Sequence, residues 1–340
     1  MEINDEILVS ERPIWDIILG FTGYPAIFVA LDLGLYELLA RGPLSISEIA
    51  KNLNLESRPT EALVYTNVSL GFMKIEGGAI CLTKVSEHYM LRNSPTSFCS
   101  LFETVANSDF LGSIKHLKQA VLTNKAQTYA GEQDVFKSHK QQFEQAKHFT
   151  KAMHSISVST ARYWVETIDL SSFTTFLDIG CGSGAHSLAA VNKWPELKAI
   201  LFDIEPVCSA SRELHANEKN SGRLEYFVGD LWESDFPDAD VHFYSQIFHD
   251  WSMDKCEYLA NKSYKSMKSG GRIVLQEMLY HDDKTGPFFA ASSSVNMLLW
   301  TEGMQYSGQE LEALLKKTGF INIEIKSNKG FWHLVVGQKP

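Results

Sequence analysis

The sequence predicts an α/β fold: a mostly parallel sheet covered by helices on both faces, closed by an antiparallel hairpin, and preceded by a helical module that contains a winged helix. Three observations predict it. An apolar strand, Thr174–Asp178, runs into three alternating glycines, Gly180, Gly182 and Gly184, and then into a helix over Ala185–Lys193. Four further strand-like runs follow, separated by helical ones, which is the pattern of a parallel sheet. Upstream, two short helices lead into a hairpin over Gly77-Gly78. We expect a helical, winged-helix dimerisation region over residues 1–95, a helical linker and pocket region over 96–170, and the sheet domain over 171–340.

Residues 12–40 are dense in large apolar side chains, among them Ile14, Trp15, Ile17, Phe21, Ile27, Leu31 and Leu35, and Pro25 is expected to divide them into two helices. The first is apolar on most sides, so it is expected either deep in a core or covered by another chain, with a subunit interface the favoured reading. Gly42-Pro43-Leu44 breaks the chain, and Ser45 with Glu48 forms a capping box for Ile46–Leu53. A second helix, Thr60–Leu70, and strands Phe72–Ile75 and Ala79–Leu82 complete the winged helix. Such a module can read DNA, but Thr60–Leu70 carries one acid and no base, and the chain's net charge is −10. Packing and dimerisation is the expected role, with no nucleic acid as partner.

The middle of the chain reads as helices over Phe98–Val105, Phe110–Leu122 and Gln141–Ile156. Phe149 and Met153 recur there at helical spacing, and Trp300 and Met304 lie near the last helix. All four fit either the core or the wall of a pocket for a flat, apolar acceptor.

The sheet continues with Ala199–Asp203, Leu224–Val228, Val241–Ile247 and Arg272–Gln276, with helices over 206–217, 253–268 and 307–318, and ends in a hairpin of Ile321–Lys326 and Phe331–Gly337. Ligands of open α/β sheets bind beyond the carboxyl ends of the strands. Those five ends carry Asp178 with its glycines, Asp203, Asp230, His249 and Glu277. Asp203 follows Gly184 by 19 residues, where a carboxylate accepts ribose hydroxyls. Asp230 stands where an adenine edge is met, with Leu231 and Trp232 to flank the ring. His249 is the candidate base.

The glycine spacing excludes one ligand class. A dinucleotide loop reads G-x-G-x-x-G, whereas Asp178–Gly184 reads D-x-G-x-G-x-G. A carboxylate inside the turn repels a pyrophosphate and welcomes an ammonium or a sulfonium. The five cysteines form no C-x-x-C pair and no metal-ligand cluster stands out, so no metal is expected. The N-terminus lacks a basic n-region, and the uncharged stretch Ile17–Leu31 is shorter than the roughly 20 residues of a membrane span. A cytoplasmic protein without a membrane partner is expected.

Asp178-Ile-Gly-Cys-Gly-Ser-Gly184 resembles motif I of the Rossmann-like class I S-adenosylmethionine (SAM) methyltransferases, and Phe248-His249-Asp250-Trp251-Ser252 resembles the catalytic segment of the small-molecule O-methyltransferases. That group includes plant caffeate and flavonoid enzymes, acetylserotonin O-methyltransferase and bacterial natural-product enzymes, and the resemblance covers nearly the whole chain. It implies SAM as cofactor and S-adenosylhomocysteine as product. It further implies a small-molecule acceptor, a homodimer intertwined through the N-terminal module, His249 as general base and Glu277 as the acid that orients it. Asp250 falls beside the acceptor, and Met153 and Ser157 fall in a helix that contacts substrate or cofactor in relatives. The chain departs from the family twice. Gln305-Tyr306-Ser307 stands where relatives carry Glu-Arg-Thr, with Glu302 out of register by nearly a helical turn, and Ser245 stands near the adenine position where many relatives carry lysine. Two rival functions follow from the same features: a SAM-binding natural-product enzyme with a non-methylating step, and a SAM-sensing winged-helix regulator.

The expected reaction is methyl transfer to a hydroxyl. A phenol titrates near 10 and an ordinary histidine near 6.5, so complete proton transfer before methylation costs roughly 5 kcal/mol. That gap favours a phenolic or enolic acceptor over an aliphatic alcohol.

Overall fold

The computed structural model describes residues 10–108, 112–127 and 143–340. The chain divides into two compact units, Met1–Asn107 and Ser108–Pro340. The first holds α1 (Arg12–Gly20), α2 (Gly23–Asp32), α3 (Leu35–Leu39), α4 (Ile46–Leu53), α5 (Ser57–Ser69), the hairpin β1 (Met73–Glu76) and β2 (Ala79–Leu82), α6 (Lys84–Tyr89) and α7 (Cys99–Ala106).

Pro25 breaks the first apolar run, but four residues upstream of itself. It has no N–H to give the Phe21 carbonyl, so α1 stops at Gly20 and Pro25 sits in the first turn of α2. The run Arg12–Asp32, longer than the Ile17–Leu31 stretch, is long and apolar enough to cross a membrane by length and composition only. Within this unit α1 buries no residue, and Ile14, Ile17, Leu19 and Phe21 are all more than 60% exposed. The Ser45–Glu48 capping box forms as expected. Ala30, Leu31, Leu35, Tyr36, Ile49 and Val64 make the core, and Tyr36 Oη donates to Asn67 Oδ1 within it at 2.6 Å.

The second unit holds α8 (Ile114–Thr123), α9 (Phe143–Trp164), β3 (Thr175–Ile179), α10 (Ala185–Lys193), β4 (Lys198–Asp203), α11 (Glu205–His215), β5 (Leu224–Val228), β6 (Val241–Ser245), α12 (Met253–Ser266), β7 (Arg272–Glu277), α13 (Phe288–Trp300), α14 (Gly308–Lys317), β8 (Ile321–Ser327) and β9 (His333–Gln338). Phe110 and Gln141, the expected starts of two helices, lie outside the described residues.

The seven strands run in the order β5-β4-β3-β6-β7-β9-β8. Strands β5 to β7 are parallel, and β9 is antiparallel to both β7 and β8. The order reverses between β3 and β6, which opens a crevice at their carboxyl ends. One face of the sheet packs Phe176, Phe243, Val274 and Leu334 under Trp164 of α9; the other packs Leu177, Tyr244, Ile273 and Leu275 under α12 and α14. Trp164 is fully buried and stacks on Phe176 at 5.6 Å and against Phe243 at 4.7 Å. Helix α13 has no counterpart in the sequence reading, because its apolar residues surround it and no stripe marks a helical period.

Trp164 is the keystone of the α9 face. Trp164→Ala is expected to cost about 3–5 kcal/mol, read as a lower denaturant midpoint with a retained m-value; a loss below about 1 kcal/mol would show that α9 is held by something else.

Candidate active site

The glycine turn folds back on β4. Gly180 N and Cys181 N both donate to Phe202 O, at 2.9 and 3.2 Å. Gly184 has φ +76°, and a Cβ there would lie 2.6 Å from Leu201 Cδ2 and 2.5 Å from Ser211 Oγ, so only glycine fits between strand and helix. The turn is bonded to the next strand end as well: Asp203 Oδ2 accepts from Gly182 N at 3.0 Å and Oδ1 from Ile204 N at 2.8 Å. Asp178 is buried, accepting from Ser187 Oγ at 2.7 Å. Burial pushes the Asp178 carboxyl up to about 7, against the pull of Ser187, and pushes Asp203 up to about 6, against its two backbone donors.

Asp230 closes its own turn, accepting from Trp232 N at 2.7 Å. Leu231 and Trp232 pack on the α12 face of the sheet. Trp232 meets Trp251 edge to face at 4.7 Å, and Lys255 Nζ lies over both rings, 4.7 Å from Trp251 and 5.3 Å from Trp232. Ser245 is on the opposite face, where its Oγ pairs with His186 Nε2 at 3.1 Å. The side chain is thus turned to a buried histidine rather than to Leu231 and Trp232.

His249 and Asp250 lie on a 3-10 turn, Phe248–Asp250, just past β6. The preceding Gln246 takes a left-handed φ of 59°. That reversal aims two N–H groups at the end of β7: Glu277 Oε1 accepts from Ile247 N at 3.1 Å and Phe248 N at 2.9 Å, while Oε2 accepts from His249 Nδ1 at 2.6 Å. With Nδ1 bonded to a carboxylate, Nε2 is the nitrogen that can exchange a proton; Asp250 Oδ1 stands 3.7 Å from it. Burial disfavours the charged ring, but Glu277 and Asp250 outweigh it and lift His249 to about 9.

Among the expected acceptor residues, Phe149 of α9 and Trp300 of α13 meet at 5.6 Å, and α13 packs on the turn that bears His249. Met153 and Ser157 are half-buried along α9, and Met304 is 43% exposed. Gln305 is buried, with its Nε2 donating to Ser293 Oγ at 2.9 Å. Sequence reasoning singles out neither Ser187 nor Gly303. A Cβ on Gly303 would run into the backbone of His249, Asp250 and Trp251. No local pattern signals that need. Among the described residues no group of three or more His, Cys, Asp or Glu is placed to hold a metal ion.

Residues 114–321 match the family described as O-methyltransferase domain, and residues 15–92 match the O-methyltransferase dimerisation domain. The chain belongs to the O-methyltransferase family. Acetylserotonin O-methyltransferase of Macaca mulatta is 30% identical over 94% of this chain and 95% of its own length. The 3-hydroxy-5-methyl-1-naphthoate 3-O-methyltransferase of Streptomyces sahachiroi is 28% identical over 89% and 88%. The crystal structure of human N-acetylserotonin methyltransferase in complex with SAM superposes with a TM-score of 0.83, at 28% identity, over 99% of both chains. The protein is a SAM-dependent O-methyltransferase with the class I sheet. The rival readings, a regulator or an enzyme of another reaction, give way to that membership.

The raised His249 has a sign-definite consequence for stability. Its folded value lies above the unfolded 6.5, so the pairing with Glu277 stabilises fully below about pH 6.5 and is lost as pH rises through about 9. The stability gap between wild type and His249→Asn is expected to shrink by up to about 3 kcal/mol over that window, measured by denaturant unfolding at both ends; a gap that stays constant would rule out the pairing.

Proposed function

We propose that the carboxyl-end rim of the sheet holds SAM and that His249 takes the proton of an acidic hydroxyl on a flat aromatic or enolic acceptor. The observation that carries this reading is the 2.6 Å bond from His249 Nδ1 to Glu277, which orients the ring and leaves Nε2 for the acceptor. SAM supplies the methyl group from a positively charged sulfonium. The donor set of the rim fits such a ligand. Asp178 and Asp203 are carboxylates already lifted by burial, which a cationic ligand relieves, and each Asp203 oxygen keeps a lone pair for a ribose hydroxyl. Gly180, Gly182 and Gly184 let the ligand approach the backbone. Asp230, Leu231 and Trp232 form the adenine wall, and Ser245 supports the turn through His186.

The proton step is cheaper than the sequence alone suggests. With His249 raised to about 9 and a phenol near 10, full transfer costs on the order of 1 kcal/mol rather than about 5. The matching cost is that little of the base is neutral at pH 7, so a nearby positive charge that lowers its affinity for protons favours turnover. Asp250, Phe149, Met153, Ser157, Trp300 and Met304 wall the acceptor site. The Streptomyces relative is named for a ring hydroxyl of a hydroxynaphthoate, which supports an aromatic hydroxyl here. The dimerisation domain and the exposed apolar face of α1 support a homodimer, with residues 1–95 pairing the subunits, 96–170 linking and lining the acceptor site, and 171–340 carrying the chemistry.

SAM affinity is expected to fall roughly tenfold or more between pH 8 and pH 5.5, because Asp178 and Asp203 take up protons there and lose the charge that meets a cation. Calorimetric titration in buffers of different ionisation enthalpy checks it, and a pH-independent affinity without proton release refutes it. Glu277→Gln is expected to lower kcat by about 100-fold or more and to move the rising limb of the kcat/KM–pH profile down towards 6.5. A limb that stays in place with wild-type turnover would remove His249 from the proposed role.

A further inference from the structure

Glu277 is the carboxylate hydrogen-bonded to the base, with Asp250 Oδ1 3.7 Å from the other ring nitrogen. At the position where the resemblance puts a second glutamate this chain has Gln305, which is bonded to Ser293 and not to the imidazole. The segment around it instead grips the chain on the far side of His249. A Cβ on Gly303 would lie 2.6 Å from Asp250 C and closer still to His249 O and Trp251 N, so two backbones are in direct contact there. Tyr306, buried, donates its Oη to Trp251 O at 2.6 Å. Glu302 accepts from Lys255 Nζ at 2.8 Å and faces Ser252 N at 3.4 Å. The segment is itself anchored at both ends. Gln305 N donates to Ser294 Oγ of α13, Tyr280 N donates to Tyr306 O, and Ser307 caps α14 in a capping box with Glu310.

We propose that residues 302–306 are a backbone clamp that positions His249, with Gly303 and Tyr306 as its working parts, in place of the glutamate that the resemblance puts at position 305. Glu277 holds the turn from the β7 side through Ile247 N and Phe248 N, and the clamp holds it from the α13–α14 side through residues 249–252. The ring between these two grips has one orientation. Catalytic geometry tolerates errors of about half an ångström, so a displaced grip loosens the bond to Glu277 before it disturbs the fold. Tyr306 stands where the resemblance puts an arginine, and its hydroxyl donates to the buried Trp251 carbonyl. It is a positioning residue, as is Gly303.

The inference rests on His249 being the base, but its test does not need the acceptor. The ring signals of His249 are followed by NMR against pH in the full-length protein bound to S-adenosylhomocysteine, and are assigned with His249→Asn. Wild type is expected to titrate well above 6.5. Tyr306→Phe and Gly303→Ala are expected to lower the midpoint by about one pH unit or more, and Gln305→Leu to leave it in place. On an accepted phenol, Tyr306→Phe is expected to lose roughly tenfold in kcat with little change in KM for SAM. A wild-type midpoint in Tyr306→Phe overturns the clamp, as does an equal shift in Gln305→Leu. Should Gly303→Ala fail to fold, Tyr306→Phe, which removes one oxygen, decides alone. Turnover retained in His249→Asn would instead overturn the base assignment and leave the titration to judge the clamp.

Discussion

Glu277 carries the constraint on which the site depends. Its carboxylate is buried at the end of β7 and accepts from Ile247 N, Phe248 N and His249 Nδ1. A buried charge is expensive unless paired and fully hydrogen-bonded, and here three donors converge on it. The cost of that arrangement is visible in the backbone. Gln246 is forced into the left-handed region so that the next two N–H groups can turn inward. One side chain therefore determines where β6 ends, how the following turn runs and which imidazole nitrogen is free.

The other half of the rim is built on the opposite logic. Asp178 and Asp203 have fewer donors than a buried carboxylate wants, and both are held protonated more readily than ordinary acids. Such groups do not stabilise the empty fold. They are tolerated because the glycine turn, β3 and β4 are tied together by backbone bonds from Gly180, Cys181 and Gly182. The crevice at the switch point between β3 and β6 thus sets a carboxylate with three donors, which fixes geometry, beside two with fewer donors, whose charge burial disfavours.

The sheet was legible in the sequence because its signals are local. Each of the seven strands is a short apolar or alternating run, and its bounds move by two residues at most between reading and structure; β5, Leu224–Val228, does not move. The capping box at Ser45 is a four-residue pattern, Ser45 to Glu48. What was not legible depends on distant partners. Gly303 needs no side chain because residues 249–251, some fifty positions earlier, lie against it. Ser245 takes its partner from the start of α10, 59 residues away. Pro25 marks a helix break whose place follows from the carbonyl it cannot serve, four residues before it. Helix α13 is hidden by the uniformity of its own sequence.

Trp251 joins the two halves of the rim. Its ring packs edge to face on Trp232, beside Asp230, and shares the Lys255 ammonium with it; cation–π contacts of this kind contribute about 1–2 kcal/mol where water is partly excluded. The same lysine is bonded to Glu302, and the Trp251 carbonyl takes the Tyr306 hydroxyl. The wall formed by Trp232 and the segment that bears His249 therefore cannot shift independently. A displacement of the Trp232 ring must either break the edge contact or carry Trp251, and with it the backbone two residues from the imidazole. In the proposed reaction, which needs donor and acceptor in line, this shared residue would tie the position of the one to the orientation of the proposed base.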